Sequence, residues 1–203
     1  YHTHRSGPGH LRFARRLVKE AREKFRPQYV QQLFSAYLKQ PWNRKYEDEA
    51  FALLDELAPQ AEEQQQFATR VNSLIQLVNW MVDKRKQAVV DAYTTGKPIP
   101  VETDKPELFE GVPVKPLHDL TRPDRQELDK AATTLSRAST GQRLQSELQE
   151  QPEQLRPWVE LARQTLLAHA GEDPEGLFAE VRERLGPTPP DTFDTAIDMA
   201  YFE

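Results

Sequence analysis

The sequence has no cysteine, which excludes disulfides, thiol nucleophiles, Cys-ligated zinc and iron–sulfur clusters. Glycine is scarce, with 8 residues against 16 prolines, so the chain is stiff and punctuated rather than flexible. It also lacks a run of the roughly 18–20 apolar residues that a membrane-spanning helix needs. The longest candidate, Val71 to Val90, is interrupted by Asn72, Asn79, Asp83, Lys84, Arg85 and Lys86. Period-two alternation of β-branched residues never persists beyond a few positions, which argues against strands.

Catalytic signatures are missing as well. No Gly-x-Ser-x-Gly elbow is present. Thr95-Gly96-Lys97 has three letters of a phosphate loop, but the upstream glycine is absent and Pro98 stands where the helix should begin. Gly7-Pro8-Gly9 lacks the strand and helix of a dinucleotide fingerprint. The acidic pairs Glu47/Asp48 and Glu62/Glu63 are what solvated helix faces carry. His2, His4 and His10 lie in the terminal arm with no carboxylate or thiolate cluster to complete a metal geometry, and His118 and His169 are isolated. No catalytic, cofactor-binding or metal-binding residue is assigned, and the chain is expected not to be an enzyme.

What the sequence does have is helical periodicity. Residues 1–10 read as an irregular arm. Leu11, Ala14, Leu17, Val18, Ala21 and Phe25 form the apolar face of a helix expected from Leu11 to Arg26. Pro27 suits the first turn of a second helix, with Tyr29, Val30, Leu33, Phe34, Tyr37 and Leu38 inward. A third, from about Tyr46 to Leu57, carries Ala50, Phe51, Leu54 and Leu57.

Ala61 to Thr95 then hold neither Gly nor Pro over 35 residues, a helix of ~50 Å at ~1.5 Å per residue. Five prolines between Gly96 and Pro116 predict an extended strap lying across a helical surface. Helices resume in 117–203. Thr121 is positioned to cap one bearing Leu128, Ala131, Ala132, Leu135 and Ala138 that closes near Ser139–Gly141. A shorter one follows around Leu144 and Leu148, and others start at Pro157, Asp173 and Asp191. The expected fold is therefore all-α: an elongated helical bundle with a long central helix over about 61–95. Its parts are the arm 1–10, the helical region 11–95, the Pro-rich strap 96–116 and the helical region 117–203.

Charge is distributed unevenly. Residues 1–46 hold 11 Lys/Arg and only Glu20 and Glu23, a net of +9, while residues 47–203 carry a net of −14. Arg12, Arg15, Arg16, Lys19, Arg22 and Arg26 recur at three or four along the first helix. Such a stripe suits an anionic membrane surface, an acidic protein groove or nucleic-acid phosphates. Packing of the apolar face on the next helix, with solvated arginines, is the bland alternative. The negative remainder of the chain and the lack of aromatic–basic interleaving disfavour nucleic acid. At the other end Phe193, Ile197 and Tyr201 stand among Asp191, Asp194 and Asp198, a stripe suited to a neighbour's groove or to its own bundle.

The expectation that follows is a non-catalytic accessory subunit of a multiprotein assembly, partnered by other protein subunits and by anionic lipid at a membrane surface. Residues 1–19 contain no acid and several Arg and His, a composition found near organellar transit peptides, although a plain terminal tail has it too. On that ground the setting expected is mitochondrial, in a respiratory-chain or ATP-synthase-type complex at the inner membrane or in the matrix, and otherwise the cytoplasm. The alternative function is a nucleic-acid-binding helical protein that uses the same Arg/Lys stripe.

Overall fold

The computed structural model describes residues 8–57, 64–101 and 106–150. Within them the fold is all-α, with no strand. The five α-helices are α1 (Pro8–Glu20), α2 (Arg26–Tyr37), α3 (Arg44–Leu57), α4 (Gln64–Thr94) and α5 (Arg122–Glu150). Short 3₁₀ turns at Glu23–Phe25, Pro106–Phe109 and Leu117–Asp119 link them. Two compact units divide the chain, one through Leu77 and the other from Val78 onward. The helices expected beyond residue 150, including the stripe of Phe193, Ile197 and Tyr201, lie outside the described residues, as do His2 and His4.

In the first unit α1 packs on α2 and α2 on α3. The core is built from Leu11, Ala14 and Val18 of α1, Val30, Leu33, Phe34 and Ala36 of α2, and Ala50, Phe51, Leu53 and Leu54 of α3. Burying each Leu, Val or Phe side chain among these contributes roughly 1.5–3 kcal/mol. Polar groups share this interior: Glu47 is fully buried and accepts a hydrogen bond from Trp42 Nε1 at 2.7 Å, and buried Gln40 donates to the carbonyl of Ala36 at 3.2 Å.

The first helix differs from its expected bounds at both ends. It begins at Pro8 rather than Leu11, because proline fits the first turn, where its missing N–H bonds to nothing. It ends at Glu20 rather than running on to Arg26. Pro27 can open a helix but cannot continue one, since its ring clashes with the carbonyl four residues back. The chain therefore breaks a turn earlier: Arg22 is extended (ψ 148°), and Glu23–Phe25 form the 3₁₀ turn into α2. As a consequence Phe25, expected on the inner face, is 49% exposed.

In the second unit α4 and α5 bury Val78, Trp80, Met81, Val89 and Ala92 together with Leu128, Ala131, Ala132, Leu135 and Leu144. Polar bonds join the two helices inside this layer. Ser136 Oγ donates to the carbonyl of Val82. The fully buried Arg85 donates to Ser139 Oγ at 2.8 Å and to Thr140 Oγ1 at 3.4 Å. Nearer solvent, Lys86 pairs with Asp129 at 2.7 Å. α5 does not close at Ser139–Gly141; it passes through Gly141 without interruption. Ser136 and Thr140 are buried where Ala138 had been expected to be, and Ala138 is exposed.

α4 ends in a Schellman arrangement. Gly96 takes φ +66°, its N–H bonds to the carbonyl of Tyr93, and the N–H of Lys97 reaches that of Ala92, a left-handed cap that glycine adopts without strain. Beyond it Val101, Phe109, Val112 and Leu120 are buried. Tyr93 stacks on Phe109 at 5.0 Å, and its hydroxyl donates to the carbonyl of Val112.

Candidate docking face

The six basic residues of the N-terminal stripe do not act as a set. Arg15 turns toward the other helices. Its guanidinium donates to the Tyr37 hydroxyl at 2.9 Å and to the Glu49 carboxylate, and it lies over the Tyr37 and Tyr46 rings at 5.5 and 5.9 Å. Tyr37 in turn donates to Glu49, so one residue from each of α1, α2 and α3 meets in a single polar knot. Burial, reinforced by the bond to Glu49, pushes the Tyr37 phenol up to about 12. For Arg15, burial disfavours the charge, yet the bonds to Tyr37 and Glu49 outweigh it and raise the pKa.

Two more of the six are neutralised nearby. Arg26 holds Glu56 through both Nε and Nη2, at 2.9 and 2.7 Å, and also reaches the carbonyl of Val18. Arg16 pairs with Glu20 at 2.8 Å one turn along α1, with its side chain 73% exposed. Exposed pairs of this kind contribute little to stability.

Arg12, Lys19 and Arg22 remain exposed, and none of them forms an ion pair among the described residues. Arg12, Arg16 and Lys19 fall at i, i+4 and i+7, so the helical repeat aligns them on one outer stripe. Phe13 follows Arg12 on the same outward side and is 59% exposed. An added Cβ at Gly9, one turn before it, would meet nothing within 4 Å, so that flank of α1 is open. Lys24 sits over the exposed Phe25 ring at 5.9 Å. The face is therefore cationic, with two partly exposed aromatic rings in its sequence neighbourhood.

Sequence reasoning missed Phe13 because it is off the register of Leu11, Ala14 and Val18. That offset is itself the signal, since a large aromatic one position outside the apolar stripe has to face outward. His10 is exposed in the first turn of α1. Among the described residues no group of three or more His, Cys, Asp or Glu is placed to hold a metal ion, and no helix is long and apolar enough to cross a membrane.

No protein-family model, curated protein or solved structure matches the chain.

Proposed function

We propose that this chain is a non-catalytic docking subunit of a multiprotein assembly, and that the outer face of α1 seats an acidic surface of a partner protein. The observation that carries this is the division of the basic stripe. Arg15, Arg16 and Arg26 are matched by Glu49, Glu20 and Glu56, while Arg12 and Lys19 on α1 and Arg22 just past it form no ion pair among the described residues, and Phe13 next to Arg12 is exposed. Arginine and aromatic side chains are enriched where protein interfaces are most buried, and a complementary carboxylate surface steers the encounter. The lack of aromatic–basic interleaving of the kind used to stack bases favours a local acidic patch on a protein over nucleic acid. The setting we propose is a mitochondrial respiratory-chain or ATP-synthase-type complex; its support is the acid-free, Arg- and His-bearing composition of residues 1–19.

The test is a native pull-down of the tagged chain from its source, washed at low and at high salt, with protein and nucleic acid both identified. Alongside it runs the Arg12→Glu, Lys19→Glu, Arg22→Glu triple variant, checked for unchanged helicity. A fixed set of proteins surviving high salt, recovered about tenfold less by the variant, is the expected result. Nucleic acid as the sole companion, lost as salt rises, would overturn the reading in favour of phosphate binding. Equal recovery by the variant would remove α1 from the interface.

A further inference from the structure

Between two anchored points of the second unit runs a short, mostly exposed segment. On its upstream side Phe109 and Val112 are buried, the N–H of Val112 bonds to the carbonyl of Phe109 at 3.2 Å, and Tyr93 holds both residues from α4. On its downstream side Leu120 is buried, and Arg125 donates to the carbonyls of Leu120 and His118 at 3.1 and 3.3 Å. Between them Val114 is 61% and Leu117 47% exposed, and Lys115 and Pro116 are exposed too. A cleft of about 330 Å³ that reaches down to Leu128 opens beside Leu117, leaving that flank accessible.

The conformation of this stretch follows from its sequence, Val112-Pro113-Val114-Lys115-Pro116. Each proline ring fixes its own φ near −65°, and each residue before a proline is pushed out of the helical region. Four of the five residues are constrained in this way. Pro116 itself has φ −51° and ψ 143°, an extended conformation bordering the polyproline II region. No hydrogen bond among the described residues engages the N–H of Val114 or Lys115. In a polyproline II helix, with about 3 residues per turn, positions three apart share an edge. Pro113 and Pro116 then form one ridge, with Val114 and Lys115 on the others.

From this we infer that residues 113–117 are a second docking element, read by a partner groove lined with aromatic rings and carrying a carboxylate at its rim for Lys115. Rings of that kind accept the flat faces of proline, and the extended backbone offers its carbonyls to donors on the groove walls. Addition of a partner β-strand is disfavoured, because the two prolines remove the N–H groups a ladder would need. Anchoring at Val112 and Leu120 leaves little freedom to lose on binding, which is where affinity for short segments is usually forfeited.

The experiment titrates the full chain against an immobilised panel of purified SH3, WW and EVH1 domains, followed by interferometry. Saturable, micromolar binding to at least one domain is expected. A Pro113→Ala, Pro116→Ala variant with unchanged helicity should bind that domain about tenfold more weakly, and Lys115→Glu should weaken it as well. Binding to none of the domains, or equal binding by the double-proline variant, overturns the inference. The α1 triple variant is expected to bind the panel like the parent chain, so failure here and failure of the α1 reading are separate outcomes.

Discussion

Tyr37 joins α1, α2 and α3 through one hydroxyl, accepting from Arg15 and donating to Glu49. Because burial and the Glu49 bond hold its proton up to about 12, the folded chain keeps that proton at a pH where the unfolded chain, near 10, has lost it. Its contribution to stability is thus whole below about pH 10 and is lost as the pH climbs toward about 12. Tyr37→Phe should lower stability by about 1–2 kcal/mol near neutrality, since Glu49 and Arg15 each lose a partner. It should also flatten the alkaline decline. Urea unfolding of both proteins at about pH 8 and about pH 11 measures both effects, and an equally steep fall in the variant would assign the alkaline loss to other groups.

At the scale of elements, α5 shows what local sequence can and cannot specify. Its start was readable: Thr121 and Asp124 form a reciprocal cap, the Asp124 N–H bonding to Thr121 Oγ1 at 3.3 Å and the Thr121 N–H to Asp124 Oδ2 at 3.2 Å. Thr121→Ala is expected to cost about 1 kcal/mol, read as a lower thermal midpoint, while Thr121→Ser should retain most of it. The course of α5 past Ser139–Gly141 was not readable. A glycine inside a helix is unfavourable by about 1 kcal/mol relative to alanine, so the local signal says stop. What carries the helix through is Arg85, bonded to Ser139 and Thr140 from more than fifty positions away, with Leu144 buried one turn on. The early end of α1 has a nearer cause in Pro27. There the sequence held the signal, but the break fell a turn before the proline. For the candidate site, the basic stripe was legible as a pattern; its division was not, because Glu49 and Glu56 reach Arg15 and Arg26 only once α3 has folded against α1 and α2.

At the scale of the whole molecule the net charge of −5 and the pI of about 5.6 are sums over two very different stretches. Charges separated by more than about 8 Å are largely screened at physiological ionic strength, so a partner meets the nearest side chains and not the sum. Arg12, Lys19 and Arg22, exposed and in no ion pair among the described residues, are such a local surface. The same is true of a chromatography bead. A protein of this pI would ordinarily be expected to pass through a sulfonate column at neutral pH. This one should instead be retained at low ionic strength, elute early in a salt gradient, and flow through once the three residues are changed to glutamate.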